Sequence, residues 1–245
     1  MALTGLQIQK LLPKTNCKEC GSNTCLAFAM KLAGKKAELS ECPYASDEAK
    51  AVLGAASEPP VRTVSIGDAK IGGETVLYRH EKTFVNEPVL AVNVNDSDED
   101  AEKTITDVKA YVLERVGETL TIGAIAVTQT LGDPAKFLEL VKAACDAELP
   151  VVLRAQDAET TAKAAALAKE TGGVITGADK ANADEMAKLA QENNLVLAVT
   201  GSSVDEIGEV TAKVKEGGFN DMLLELKAKT PAEEMQLNTI LRRAA

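Results

Sequence analysis

GAIAVTQTLGDPAKFLELVKAACDAELPVVLRAQDAETTAKAAALAKETGGVIT, residues 123–176, contains the pattern that decides the fold. Three short apolar runs stand out, Gly123–Val127, Pro150–Leu153 and Gly173–Thr176. Each is too short for a helix and lacks the alternation of a half-exposed strand, so each predicts a strand buried on both faces. Between the runs lie Ala-, Lys- and Glu-rich segments with helical spacing, as in Asp157–Glu170. Asp133-Pro134 predicts an N-cap followed by a first-turn proline. Gly172-Gly173 follows the second helix directly, where a left-handed cap needs glycine. Strand, helix and strand in this order make a parallel sheet covered by helices.

The same unit extends outward in both directions. Val89–Val94, Leu195–Val199 and Met222–Leu226 add three strands, and Lys180–Glu192 another helix. Gly217-Gly218 and Thr230-Pro231 supply a further helix stop and helix start. Strands recur every 22–35 residues or so, close to a βαβ unit of about 30. The expectation for residues 86–245 is an α/β domain of about six strands. It fits either an open doubly wound sheet or an unfinished eight-stranded barrel of the TIM type. The chain stops at Arg242-Arg243-Ala244-Ala245, inside what reads as the sixth helix.

Upstream the pattern changes. Val61–Ile66 and Thr75–Tyr78 alternate like strands, with turns at Gly67-Asp68 and Gly72-Gly73, so residues 58–85 read as a linker and β-hairpin. Ser57-Glu58-Pro59-Pro60 interrupts any helix. Residues 1–57 hold two short helical patterns, one marked by Leu3, Leu6, Leu11 and Leu12, the other by Leu26, Met30 and Leu32.

This first segment also holds four of the five cysteines, Cys17, Cys20, Cys25 and Cys42, spaced Cys-x2-Cys-x4-Cys-x16-Cys-Pro. Three ligands within nine residues can wrap one face of a cubane, and the fourth arrives after a helix. A last ligand followed by proline is ferredoxin-like, and Gly21 permits a turn that points amides at the sulfurs. The expected metal is a [4Fe–4S] cluster on these four residues. The alternative is structural zinc, although zinc sites usually pair two close knuckles or add histidine, and the single histidine, His80, lies elsewhere. A segment of this size with few large apolar side chains needs a metal to complete its fold. Lys10, Lys14, Lys18, Lys31, Lys35 and Lys36 surround the ligands, with Glu19 between them. Such charge either favours a reduced cluster and an acidic electron donor or is an ordinary solvated surface.

Composition narrows the function classes. A net charge of −10 and 3% aromatic residues argue against a nucleic-acid partner. No run approaches the 18–20 apolar residues or so of a membrane span. The start Met1-Ala2-Leu3-Thr4-Gly5-Leu6 lacks a signal-peptide pattern, so the expected location is cytoplasmic.

The run CKECGSNTCLAFAMKLAGKKAELSECP, residues 17–43, followed by VRTVSIGDAKIGGETVLYRHEKTFVNEP, residues 61–88, resembles the large (gamma) subunit of the corrinoid iron–sulfur protein. That protein belongs to the acetyl-CoA decarbonylase/synthase system, and the resemblance extends over the whole chain. It implies an eight-stranded barrel behind the cluster domain, then a C-terminal cobalamin-binding domain. It also implies a small barrel-shaped partner subunit, a methyltransferase, carbon monoxide dehydrogenase/acetyl-CoA synthase and an electron donor for the cluster. The implied activity is transfer of a methyl group on cobalt from a methylated folate or pterin to acetyl-CoA synthase. The cluster's implied part is reduction of Co(II) to Co(I). Only Cys17, Cys20, Cys25 and Cys42 match functional residues of the motif. The sequence departs from the family in stopping after about six strands, which reads as a fragment whose residues alone should not hold cobalamin. An electron-transfer module of another oxidoreductase and a zinc-stapled barrel enzyme are the competing expectations.

Other features invite over-reading. Polar residues gather at the strand ends: Asn93, Asn95 and Asp96; Thr128, Gln129 and Thr130; Arg154 and Gln156; Thr176 and Asp179; Thr200, Gly201 and Ser202. They contain no nucleophile–base pair or ligand set, so capping is the expectation and no catalytic residue is assigned. Cys145 reads as a small buried apolar residue. Gly172-Gly173-Val174 and Gly201-Ser202-Ser203 match no phosphate-binding pattern. Asp96–Asp100 reads as a helix start rather than a calcium loop.

Overall fold

A computed structural model describes residues 4–34, 37, 39–46, 49, 50, 53, 61–73 and 85–244. The chain divides into two compact units, Met1–Pro59 and Pro60–Ala245.

The first unit contains α1 (Gly5–Leu11), α2 (Cys25–Ala33) and a single 3-10 turn at Leu39–Glu41. Thr4 opens α1 with a capping box closed by Gln7, and Thr24 opens α2 by accepting from the Ala27 amide at 3.0 Å. The two helices meet closely, since a Cβ on Gly5 would collide with Met30 Sδ. The buried face of α2 is Cys25, Phe28 and Ala29, with Leu32 packed beside it. Leu26 and Met30, expected to mark that face, are exposed, Met30 touching Gly5 from the rim of the helix pair, and Leu6 of α1 is likewise exposed. Leu11, Leu12 and Leu32 do pack in the core as expected, whereas cysteine and alanine take the other α2 core positions in place of Leu26 and Met30.

The second unit begins with a tight hairpin, β1 (Val64–Ile66) against β2 (Ala69–Ile71). The strand paired with β1 is thus nearer than expected, and Thr75–Tyr78 lies outside the described residues, as does His80. Then come β3 (Ala91–Asn95), α3 (Ala101–Ala110), β4 (Val112–Arg115), β5 (Glu118–Thr121), β6 (Ala124–Thr128) and α4 (Ala135–Asp146). The chain continues through β7 (Val151–Arg154), α5 (Ala158–Ala168), β8 (Gly173–Ala178), α6 (Ala183–Glu192), β9 (Val196–Gly201), α7 (Val204–Glu216), β10 (Met222–Leu226) and α8 (Pro231–Ala244).

Six strands form one parallel sheet in the order β3-β6-β7-β8-β9-β10. Each crossover moves one place in the same direction, so the strand order never reverses as it does in a doubly wound sheet. Among the described residues β3 and β10 do not pair with each other, and the sheet has two open edges. The architecture is therefore α/β with a six-stranded parallel sheet; a closed barrel is not formed by these strands alone.

The two sheet faces differ. Ile125, Val127, Val151, Leu153, Ile175, Leu197 and Val199 point toward the helices, where Ile105, Phe137, Leu140, Ala164, Met186 and Val210 complete the main core. The residues between them face the other way. Near the strand starts, Val174, Val196 and Ala198 meet Val64 and Ile66 of the hairpin, which plugs that end. Gly173 lets β8 approach β7, because a Cβ there would strike the Val151 carbonyl oxygen.

The β4–β5 hairpin has no counterpart in the sequence reading. Its turn is Val116-Gly117, with φ of 54° and 83°. A hairpin turn with two positive φ values normally uses Asn-Gly, so the usual signal is missing. Val116 is also β-branched, which makes that conformation unfavourable, and it is 96% exposed. Pro134 is the N-cap of α4 rather than its first helical residue, with Asp133 accepting from the Ala135 amide. Pro231 does open α8, and Thr230 accepts from the Glu233 amide. Among the described residues no helix is long and apolar enough to cross a membrane.

Candidate metal centre

The four expected ligands lie around a loop and two short pieces of helix. Lys14, Asn16 and Lys18 have φ of 60°, 51° and 67°, and Gly21 adds 69°, so the chain curls repeatedly between residues 14 and 21. Non-glycine residues tolerate this conformation at a cost and usually need a local reason. Two hydrogen bonds brace the curl. Asn16 Oδ1 accepts from the Cys25 amide at 2.8 Å, tying the loop before Cys17 to the start of α2. The Gly21 amide donates to the Lys18 carbonyl at 3.0 Å, closing a turn around Cys20. Cys25 is then the first residue of α2, where the positive end of the helix dipole suits a ligand that binds as an anion.

The fourth cysteine follows the 3-10 turn, with the Cys42 amide donating to the Leu39 carbonyl at 3.0 Å. Two residues on, the Tyr44 hydroxyl donates to Glu19 Oε1 at 3.0 Å, joining the Cys42-Pro43 segment to the loop between Cys17 and Cys20. That carboxylate holds the Tyr44 hydroxyl above the ordinary phenol range, first through the hydrogen bond and then through its charge.

All four thiols are free. Cys25 and Cys42 are each 7% exposed and belong to a small core with Ile8, Leu12, Phe28, Ala29, Ala45, Ala49 and Leu53. Cys20 is half-buried against that core, and Cys17 is exposed. The fold brings three of the four into one cluster and leaves Cys17 at its rim. Among the described residues, no three Cys, His, Asp or Glu side chains gather tightly enough to hold an ion as they stand. The cysteines are packed neighbours rather than a closed cage.

Ser22 supplies a second mark of the site. It is 4% exposed, and among the described residues its hydroxyl is the buried side-chain oxygen or nitrogen without a hydrogen-bond partner. Leaving such a group unpaired costs about 1–3 kcal/mol. It stands between Cys20 and Cys25, so an all-sulfur donor set and an unpaired buried donor occupy the same loop. That combination fits an electron-rich sulfur cluster. Ser22, Asn16 and Tyr44 had no assigned role in the sequence reading, because burial and partner choice leave no local signature.

The other candidates resolve into structural roles. Asp96, buried at the end of β3, accepts from the Thr130 amide at 2.7 Å, the Thr130 hydroxyl and the Leu131 amide at 3.1 Å. Burial alone would raise its pKa, but these bonds outweigh burial and hold the carboxyl below the usual range. Asp100 precedes α3 as its N-cap, in keeping with a helix start over 96–100. Ser203 caps α7, accepting from the Glu206 amide at 3.2 Å. Gln129 and Gln156 bond each other's loops. Asn93, Thr128, Arg154, Thr176 and Thr200 are not caps: they alternate with the helix-facing core residues and form a polar layer on the other sheet face. There the Thr128 hydroxyl donates to Asn93 Oδ1 at 2.6 Å, and Arg154 Nη2 lies 3.7 Å from Glu225 Oε1. Cys145 is half-buried on α4, and burial pushes its thiol up, as suits a packing residue.

Comparisons with known proteins agree with this geometry. Residues 12–44 match a family model for an Fe-S cluster domain, so the cysteine unit is an iron–sulfur domain. Residues 60–245 match the family described as CO dehydrogenase/acetyl-CoA synthase delta subunit. The chain is 39% identical over 252 residues to the corrinoid/iron-sulfur protein large subunit of Moorella thermoacetica, covering 100% of this chain and 56% of the relative. It is 30% identical over 260 residues to the acetyl-CoA decarbonylase/synthase complex subunit gamma of Methanocaldococcus jannaschii, covering 99% and 53%. The chain thus spans about half the length of the curated relatives it matches. Among solved structures, 3-dehydroquinate dehydratase from Aquifex aeolicus VF5 overlaps 64% of this chain and 75% of its own, at 10% identity and a TM-score of 0.44. That likeness is too slight to add to the fold.

Proposed function

The chain belongs to the CO dehydrogenase/acetyl-CoA synthase delta subunit family, and from that membership we propose that it is the iron–sulfur and scaffold portion of a corrinoid methyl carrier. The relatives that span both of its units carry the names large or gamma subunit, which favours that subunit over the delta. Cys17, Cys20, Cys25 and Cys42 hold a [4Fe–4S] cluster as thiolates. Bound there, the cluster supplies single electrons that return Co(II) corrinoid to Co(I), ready to accept methyl from a methylated folate or pterin for acetyl-CoA synthase.

The remaining roles follow from where residues lie. Cys25 and Cys42 form the sheltered side of the site, and the exposed Cys17 forms the side open to an approaching donor. Lys10, Lys14, Lys18 and Lys31 are exposed, which suits an acidic electron donor. Residues 1–57 act as the cluster domain, 58–85 as linker and hairpin, and 86–245 as scaffold. The sequential, one-directional winding of the six strands supports a TIM-type barrel, whose ring two more strands would complete. The partners are a small barrel-shaped subunit, a methyltransferase, carbon monoxide dehydrogenase/acetyl-CoA synthase and the electron donor, all in the cytoplasm. The corrinoid is carried by parts of the complex other than these residues.

One observation carries this proposal: the four cysteines fall inside the segment that matches an Fe-S cluster domain, and three of them share one small core. The test is anaerobic purification followed by metal analysis and a visible spectrum. Expected are about four irons per chain and a broad band near roughly 400 nm that dithionite bleaches. A colourless protein holding one zinc ion would refute electron transfer while leaving the four ligands in place.

A further inference from the structure

Ser22 poses a problem that the cysteines alone do not solve. Its hydroxyl is buried in the loop between two ligands, and among the described residues it has no partner. Three nearby amides donate elsewhere, so none of them pairs with the Ser22 oxygen. The Gly21 amide is used by Lys18, the Cys25 amide by Asn16 and the Ala27 amide by Thr24. A hydroxyl carries one proton to donate, and buried donors are nearly always paired. With Cys20 and Cys25 two and three residues away in the same loop, a metal-loaded loop would offer it sulfur acceptors, the thiolates of the flanking cysteines and the sulfides of the cluster.

We infer that the Ser22 hydroxyl donates a hydrogen bond to a sulfur of the bound cluster and thereby raises its reduction potential. The inference rests on the cluster assignment above and adds to it a residue that is not a ligand. The direction follows from charge. Reduction places an extra electron on the cluster, its sulfurs become better acceptors, and a fixed donor stabilises the reduced form more than the oxidised one. Without the donor, reduction becomes harder.

The experiment compares Ser22→Ala, Ser22→Thr and Asn23→Ala in the full 245-residue chain after anaerobic cluster assembly. Asn23 is an exposed neighbour in the same loop and serves as the control. In Ser22→Ala the iron content should match the unmutated protein while the midpoint potential falls. The expected loss is severalfold to about tenfold in the equilibrium constant for reduction, tenfold being about 59 mV for one electron. Deuterium ENDOR on the reduced protein in D2O should show one exchangeable deuteron fewer. Ser22→Thr keeps the hydroxyl and should restore both signals, and Asn23→Ala should change neither. Full iron content with an unmoved potential and an unchanged deuteron count in Ser22→Ala would overturn the inference and leave the cluster standing. Absence of iron from the unmutated protein would instead remove the cluster reading beneath it. If Ser22→Ala does not assemble a cluster, Ser22→Thr decides: recovery of the cluster supports the hydroxyl, and failure alongside alanine counts against it.

Discussion

The two units of this chain reach stability by different means. In Pro60–Ala245, six strands and the helices α3–α7 share a continuous core of ordinary aliphatic and aromatic side chains, including Phe137, Leu140, Leu153 and Leu197, all fully buried, and α8 adds Leu241 to a smaller cluster with Ile207 and Leu226. Among the described residues of Met1–Pro59 the core is nine buried side chains, Cys25 and Cys42 among them. On the cluster reading proposed above, the same side chains serve as packing and as ligands. A small unit buries too little surface to hold together on apolar contacts alone, so on that reading metal binding adds directly to its folding free energy. The lesson is that the sheet unit should fold whether or not metal is present, whereas the cysteine unit should not.

The sharpest way to break that contrast is Cys25→Ala. It removes a proposed ligand and a core group together. Hydrogen exchange should then show amides of α1 and α2 losing protection almost completely, with those of β6–β9 unchanged. Protection retained in α1 and α2 would mean that the small core suffices without metal. The reciprocal change is Phe137→Ala, which empties a fully buried site on α4 and should cost about 3–5 kcal/mol of the sheet unit's stability. Urea unfolding should register that loss with the visible spectrum unaltered. A spectrum that changed in parallel would show that the two units fold as one.

A smaller effect sharpens the picture of the sheet unit. Asp96→Asn should cost about 1–3 kcal/mol at neutral pH, because the Thr130 and Leu131 donors lose their charged acceptor. The folded-state pKa of Asp96 is lowered from the ordinary carboxyl value of 3.8, so its contribution is present above that value and is lost as pH falls through the lower folded pKa. The difference in urea midpoint between Asp96→Asn and the unmutated chain should be constant from pH 7 to about 5. It should shrink below about pH 4. A gap that stays wide in acid would show that the carboxylate's charge is not what matters.

Much of the sheet was legible because its signal is local. All six apolar runs became strands, within about two residues at each end. The β4–β5 hairpin was not legible, since Val116-Gly117 adopts a turn for which Val is a poor choice. The buried face of α2 was misplaced because Cys25 and Ala29 point inward while Leu26 and Met30 do not. At the cysteine site the spacing was informative, but the supports were invisible. Asn16 braces Cys25, and Tyr44 reaches Glu19 across 25 residues, through contacts that no short-range pattern encodes.

By itself, then, the sequence determined the strand–helix alternation and the four cysteines with their metal-binding spacing. Both are periodicities or intervals over a few residues, and backbone geometry acts at that range. Only the tertiary structure decided the order of the six strands, the sheet face covered by the β1–β2 hairpin, and the burial of Asp96 and Ser22. Those outcomes depend on which distant segments pack together, and so does the energetic meaning of a polar group. An aspartate or a serine is unremarkable in water; enclosed by the fold, each must find a partner.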